Sequence, residues 1–299
     1  MLNKILFLLE NSWDIDTTYN KDIYKCAVSS LIINDYLGGI IGKIKVDGVS
    51  HYFNVIDERL VDSTKKQFDY EINYDNYEIV SRDYILENID TKNRYNILKI
   101  RVDNLLKEFN SINNEVNTCD KCISLVERFS TKETISFGVN NDVLILGEAP
   151  ANNGWRKSGI AWYDVSGKLL PSGKVLKELL KFIDVELENT FFMEAIKCFP
   201  IKRSNLNTCK KNCRNYLFRQ INLIKPKVII TLGDYATRAL LDIKYSKFNE
   251  VVGRVFELDI DGTLIKVVPV YHPSPISPLS YKGNVDIFSI TIKNILKKD

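Results

Sequence analysis

Hydrophobic and polar positions alternate differently in the two halves of the chain. In the first half, short apolar runs sit between turn signals. Ala27–Tyr36 reads as a helix that starts just after Cys26 and is ended by Gly38-Gly39. The segments 40–46, 50–55 and 58–61 read as short strands broken by Asp-Gly and Asp-Glu turns. Residues 94–109 set Ile97, Ile100, Leu105 and Leu106 among Lys and Arg, the pattern of an amphipathic helix. A polar stretch, 111–117, follows. This predicts an N-terminal α+β domain over residues 1–112, a linker at 113–117 and a second domain over 118–299.

The second half alternates strand-like and helix-like segments. Strands are expected at 143–146, 190–195, 228–232 and 265–270, and helices at 173–182, 209–224, 234–241 and 285–296. Such alternation predicts an α/β domain with a parallel sheet covered by helices on both faces. Ligands of such sheets sit at the carboxyl ends of the strands. Gly147-Glu148-Ala149-Pro150 and His272-Pro273-Ser274-Pro275 both follow predicted strands, so they are expected to face one crevice.

Composition narrows the class. The 299 residues are 45% hydrophobic and 26% charged, enough for two cores and unlike a disordered chain, a fibre or a small disulfide scaffold. No apolar run approaches a membrane span. The run Ile5–Leu9 has one preceding Lys and no small-residue cleavage site, a poor signal peptide. A soluble, cytoplasmic protein with no membrane partner is expected. Residues 1–110 hold 14 basic and 18 acidic side chains, a net of −4, and the remainder has a net of +7. The basic half is the candidate for a polyanionic partner such as DNA.

Five of the six cysteines, Cys119, Cys122, Cys198, Cys209 and Cys213, lie in that basic half in short-spaced groups. In a reducing compartment this favours metal over disulfides. Zinc would suit Cys119, Cys122, Cys209 and Cys213, whereas an iron–sulfur cluster would suit four thiolates including Cys198. The turn Gly147–Pro150 lets backbone N–H groups approach a ligand beside one carboxylate. His272 stands on a loop stiffened by two prolines.

Residues 118–296 resemble the uracil-DNA glycosylase superfamily, nearest its iron–sulfur, family-four group. The resemblance rests on Cys119-x2-Cys122, the strand ending in Gly147–Pro150, Ser158-Gly159-Ile160-Ala161-Trp162, Ser172-Gly173 and Lys197-Cys198-x-Pro200. It continues through Cys213 with Tyr216-Leu217, Pro226-Lys227-Val228 leading to Leu232-Gly233, and the HPSP segment. It implies a three-layer α/β/α domain with a four-stranded parallel sheet. It also implies a structural [4Fe–4S] cluster on Cys119, Cys122, Cys198 and Cys213, with Cys209 a bystander. The reaction it implies is hydrolysis of the glycosidic bond of a flipped-out base in single- or double-stranded DNA.

Carried over residue by residue, His272 stabilises the anionic departing base, with backbone N–H groups around Glu148 and Ala149 in the same role. Glu148 orients water or stabilises the sugar cation. Gly147 and Ser274 line the substrate. Trp162 stacks under the flipped base in place of the family's phenylalanine or, on the plainer reading, sits in the core. Ile276 is a duplex wedge or a core residue. Arg156, Lys157, Lys197, Lys202, Arg203, Lys210, Lys211 and Arg214 are candidates for phosphate contacts.

Two positions depart from the pattern. Ala151-Asn152-Asn153-Gly154-Trp155 replaces the usual glycine after the motif's proline, and Asn152 is a candidate water ligand. Glu194 stands where the family has the asparagine that reads uracil. A carboxylate accepts from N3–H but repels O4, so it works for uracil only when protonated or displaced; ionised, it suits a purine edge with two donors and implies an altered base specificity, unless the alignment shifts locally and Glu194 lies on the surface. An alternative for the whole domain is a non-catalytic nucleic-acid-binding module.

In the acidic half Cys26 precedes a helix, His51 lies on a predicted strand and Asp62 on the next. This order suits a thiolate–imidazolium pair oriented by a carboxylate. Cys26-Ala27-Val28, Asp35-Tyr36-Leu37-Gly38-Gly39, Ser50-His51-Tyr52, Val61-Asp62-Ser63-Thr64, Gln67-Phe68 and Arg94-Tyr95 resemble small bacterial YunG-like proteins, whose Cys, His, Asp order is similar to the papain and transglutaminase fold. The resemblance implies a fold more than a reaction. A cysteine hydrolase or transferase targeted to DNA is the second alternative.

Overall fold

Burial is mixed along the first strands and unbroken along the central later ones, and the two patterns build two different sheets. The computed structural model describes residues 1–13, 25–128, 133–139, 141–151 and 154–297. It divides into two units, Met1–Lys107 and Glu108–Asp299.

The first unit contains α1 (Leu2–Glu10), α2 (Lys25–Leu37), β1 (Ile40–Val46), β2 (Val49–Ile56), β3 (Arg59–Val61), β4 (Glu78–Val80) and α3 (Arg82–Leu86). Its strands form an antiparallel sheet in the order β3-β2-β1-β4. Asp47 and Gly48 both have positive φ, the conformation a two-residue hairpin turn needs between β1 and β2. Helix α2 buries Val28, Leu31, Ile32 and Ile33, and the Asn54 side chain donates to Ser30 O at 3.0 Å, tying β2 to that helix. The ring of Phe53 lies over Gly42, where a Cβ would meet it at 2.4 Å.

Helix α4 (Ile89–Thr118) contains residues 113–117, which sequence reading makes a linker. Ile112 and Val116, four residues apart, are buried beside Tyr216, and Asn113 donates to Glu133 at 2.7 Å. A polar stretch with one apolar residue per turn is enough to continue a helix.

The second unit continues with β5 (Val126–Glu127), β6 (Val143–Gly147), α5 (Trp155–Ser158), α6 (Pro171–Leu180), β7 (Phe191–Glu194), β8 (Phe199–Pro200) and α7 (Leu206–Ile224). Then come β9 (Val228–Leu232), α8 (Gly233–Leu240), β10 (Phe256–Ile260), β11 (Thr263–Val270) and, after a π-helical stretch Ile287–Ile292, α9 (Lys293–Leu296). The main sheet runs β10-β11-β9-β6-β7, with β11, β9, β6 and β7 parallel. The four parallel strands are those the sequence predicts. The fifth, β10, is antiparallel to β11 and extends the sheet.

Val143, Ile145, Phe192, Ile230, Val268 and Val270 pack on Leu176, Leu179 and Leu180 of α6 and on Ile287, Phe288 and Ile292. On the other face the Thr231 and Thr237 hydroxyls pair at 2.7 Å, fixing α8 to β9. Helices therefore cover both faces of an α/β sheet. Among the described residues no helix is long and apolar enough to cross a membrane.

The Gly42 contact leaves no room for a methyl group. Gly42→Ala is expected to destabilise the first unit by about 1–3 kcal/mol through overpacking against Phe53, read as a lowered denaturant midpoint at unchanged slope.

Candidate active site

Strands β6, β7, β9 and β11 are parallel, so their carboxyl ends share one edge of the sheet. At that edge lies a cavity of about 570 Å³. Gly147, Glu148 and Ala149 line it from the end of β6, Glu194 from β7, Leu232 and Gly233 from β9, and His272 and Ser274 from the loop after β11. The two segments expected to face one crevice do so.

Glu194 is 3% exposed at the end of β7. Its Oε1 accepts from Trp155 Nε1 at 2.5 Å, and its Oε2 has no partner among the described residues. Burial raises its pKa above the usual carboxylate range, against the opposing pull of Arg156, the Trp155 hydrogen bond and Lys197. Gly147 pairs with Glu194 in the ladder, and a Cβ there would come within 3.3 Å of the Phe192 ring. The glycine thus leaves the floor of the cavity clear.

His272 keeps part of its surface open to solvent, yet the cleft walls remove enough hydration to lower its pKa, outweighing the pull of Glu148. The imidazole is thereby kept neutral, an N–H donor without a charge. Ser274 N donates to His272 O at 2.7 Å, tightening the loop that carries the ring. Glu148 is ion-paired with Arg203 at 3.1 Å.

Trp162 is 7% exposed with φ +70°, its ring 4.4 Å from that of Phe192 and tilted to it by 46°; it belongs to the core and lines the cavity at once. The plainer reading, a core residue, holds. Ile276 is 93% exposed, which removes the core reading. Asn152 lies outside the described residues.

Two of the basic candidates are corrected. Arg156 is 2% and Lys197 1% exposed, so neither reaches a phosphate. Lys197 Nζ instead donates to Glu194 O at 2.6 Å. Lys157, Lys202, Arg203, Lys211 and Arg214 are exposed. Sequence reading gave no place in the site to Trp155, Phe192, Asp234 and Tyr235 and took Arg203 for a phosphate contact; all five line the cavity. Phe192 was within reach: two residues before Glu194 on a strand, it shares that residue's face.

Cys122, Cys198, Cys209 and Cys213 pack in one cluster with Val126, Ile196 and Leu206, and Cys119 lies beside Tyr216. All five are free thiols. Burial, with repulsion from neighbouring cysteines, pushes Cys209 up to about 12; burial also pushes Cys213 up to about 11 and raises Cys198. Lys197 N donates to Cys213 Sγ at 3.5 Å and Asn212 to Cys122 Sγ at 3.1 Å. A cationic centre would relieve the repulsion among converging thiolates, so the chemistry of the donor set fits an iron–sulfur group or zinc. Among the described residues, no three metal-ligating side chains stand in a ready-made ligand arrangement.

In the first unit His51, on β2, meets Asp62, just after β3, at 2.6 Å, and interacts with the Cys26 thiol at the start of α2. The three residues singled out by order along the chain come together.

The uracil DNA glycosylase superfamily model matches residues 136–291, and the YunG protein family model matches residues 1–107. The type-4 uracil-DNA glycosylase of Archaeoglobus fulgidus is 28% identical over 180 residues, 57% of this chain and 84% of that protein. That of Saccharolobus solfataricus is 31% identical over 170 residues, 54% of this chain and 74% of that protein. The protein YunG of Bacillus subtilis is 30% identical over 78 residues, 24% of this chain and 68% of that protein. The cavity at the strand ends thus lies in an enzyme domain, and the chain belongs to the uracil DNA glycosylase superfamily, joined to a first unit of the YunG family.

Proposed function

We propose that the second unit hydrolyses the N-glycosidic bond of uracil in DNA, with Glu194 reading the base as a neutral acid. The observation that carries this reading is the single cavity where Glu148, Glu194 and His272 meet at the strand ends.

A base in duplex DNA cannot reach such a cavity, so it is turned out of the stack first. Ile276, standing free of the core, is suited to fill the gap left behind. Trp162 and Phe192, both lining the cavity, offer aromatic faces against which the base can rest. Protonated, Glu194 holds one O–H donor and one carbonyl acceptor, as an amide does. Its Oε1, already accepting from Trp155, has a second lone pair for uracil N3–H, and Oε2–H is left to donate to O4. An ionised Glu194 would favour a two-donor purine edge, but its burial argues for the neutral form.

As the bond from C1′ to the base breaks, positive charge grows on the sugar and negative charge on the base. The neutral His272 donates to the developing oxyanion without needing a proton-transfer step. Glu148, held by Arg203, lies where a carboxylate can orient the water that adds to C1′. The exposed Lys157, Lys202, Arg203, Lys211 and Arg214 supply phosphate contacts.

Cys119, Cys122, Cys198 and Cys213 are the residues that would hold a [4Fe–4S] cluster, which would pin the loops around the cavity and take no part in the chemistry. Cys209 packs with Cys122, Cys198 and Cys213 and is assigned no ligand role in this reading.

Base release from labelled oligonucleotides containing uracil, hypoxanthine, xanthine or normal bases tests the reading. Uracil release is expected, and purine release in its place would overturn the neutral-acid assignment. His272→Ala is expected to slow release about 100- to 1,000-fold with DNA binding retained. No release from any substrate, with binding intact, would make the domain a binding module.

The sign of the pH dependence follows from the raised Glu194 pKa. The neutral form is lost as pH rises through that value, so uracil release falls on the alkaline side. Glu194→Gln keeps one donor and one acceptor and is expected to flatten that limb, measured as single-turnover rate against pH.

Iron and sulfide assays on anaerobically purified protein separate the metals. Cys213→Ser is expected to lose iron and brown colour, and Cys209→Ser to retain both; zinc in place of iron would overturn the cluster assignment.

A further inference from the structure

The glycosylase reaction uses nothing in the first unit, yet that unit holds a complete nucleophilic constellation. Cys26 lies in the first turn of the 13-residue helix α2, which has no acidic residue in that turn. The positive end of the helix dipole lies at that turn. The Asn54–Ser30 hydrogen bond fixes α2 on β2, and β2 carries His51.

The imidazole is held on every side. Nε2 meets Asp62 Oδ2 at 2.6 Å, and Nδ1 lies 3.1 Å from the side-chain amide of Gln67, which presents its oxygen to Nδ1–H when the ring is charged. The Cys26 thiol is the ring's third polar partner. The Phe68 ring stands edge-on to the imidazole at 5.0 Å.

Asp62 is itself fixed. Oδ1 accepts from Thr64 N at 2.9 Å and Thr64 Oγ1 at 3.0 Å, and Oδ2 accepts from Tyr74 at 2.7 Å. Burial would raise its pKa, but His51, Tyr74 and Thr64 together lower it. Burial likewise pulls His51 down, while Asp62 and Cys26 prevail and hold it up to about 9. The charged ring persists through neutral pH and is lost as pH rises through that value. Asp62, Cys26, Gln67 and Tyr74 are the polar groups that surround the pair. A structural His–Asp pair alone would not require a thiol at the third corner.

We propose that Cys26, His51 and Asp62 form a second active site, a cysteine nucleophile that takes an acyl group from an amide or ester. The thiolate attacks the carbonyl carbon, the C–N or C–O bond breaks, and the imidazolium gives its proton to the leaving nitrogen or oxygen. The acyl group is left as a thioester on Cys26. Water or an amine then attacks that carbonyl, His51 accepts its proton, and Cys26 leaves as thiolate. Asp62 acts through His51 and is a positioning residue.

The test uses the full chain with peptide-resolved mass spectrometry, which separates Cys26 from the other five cysteines. Iodoacetamide at about pH 6 is expected to label Cys26 at least ~10-fold faster than free cysteine. His51→Gln is expected to reduce that to the free-thiol rate, with circular dichroism unchanged. Asp62→Asn is expected to move the alkaline edge of the pH–rate profile to lower pH, which a merely structural aspartate would not do. p-Nitrophenyl acetate is expected to leave an acetyl thioester on Cys26 that turns over, and Cys26→Ser to abolish it. An unlabelled Cys26, or labelling that climbs with pH as for a free thiol, overturns the proposal. Fast alkylation with no acyl-enzyme overturns the acyl-transfer assignment. Uracil release by Cys26→Ser is expected to be unchanged, so failure here and failure of the glycosylase reading remain distinguishable.

Discussion

Everything at the glycosylase cavity depends on the hydrogen-bond ladder of four parallel strands in the buried sheet. Val143–Gly147 and Val228–Leu232 are buried at every position, so their backbone groups have no water to turn to and must pair with each other. The register is therefore fixed, Leu144 to Phe191 and to Ile229, and the strand ends fall in line. Side chains that leave the ladder at that edge are held to within the tolerance of the sheet itself. Glu194, the last residue of β7, faces Gly147, the last of β6, because of this pairing. His272 follows two residues beyond β11. Glu148 and His272 stand on loops, but each lies within two residues of the strand it leaves.

The same burial explains where the charges went. Counting Lys and Arg near a motif treats each as surface, and for Lys157 or Lys211 that holds. Arg156 and Lys197 are different because each is adjacent to a residue that the cavity or the cysteine cluster claims. Arg156 follows Trp155, whose indole is spent on Glu194, and Lys197 precedes Cys198. Their neighbours' packing carries them inside. Once buried, they become part of the electrostatic setting of Glu194 and cease to be available to DNA.

Much of the fold was legible. The strands at 40–46 and 228–232 are bounded in the sequence by Gly, Asp or Pro, and the structure ends them there. The residues of the cavity were legible where they follow strands, as Glu148 and His272 do. What escaped is what needs a third dimension. β10 has exposed positions alternating with half-buried ones and earns its place only by pairing with β11. Residues 113–117 are polar enough to look like a linker, and only the burial of Ile112 and Val116 beside Tyr216 makes them helical. Tyr235 and Arg203 come to the cavity from helix and loop starts that no spacing rule connects. Cys209 was set apart by resemblance, yet it packs among the other cysteines, because four residues before Cys213 on α7 it shares that residue's helical face.

Two buried carboxylates show how local donors decide the chemistry of a site. Asp62 and Glu194 are both removed from water, and for both, burial alone favours the neutral acid. Asp62 receives hydrogen bonds from Thr64 N, Thr64 Oγ1 and Tyr74 and is paired with His51, so all its ionised oxygens are satisfied and its pKa falls. Glu194 receives one, from Trp155, and keeps an oxygen without a partner, so its pKa rises even beside Arg156 and Lys197. At Glu194 burial outweighs nearby charge, and at Asp62 the hydrogen bonds and the His51 charge together outweigh burial. The consequences diverge accordingly. A satisfied, ionised carboxylate can only orient its partner, which is what a thiol–imidazole pair needs. An unsatisfied, neutral one presents a donor and an acceptor to whatever enters the cavity, which is what reading a base requires.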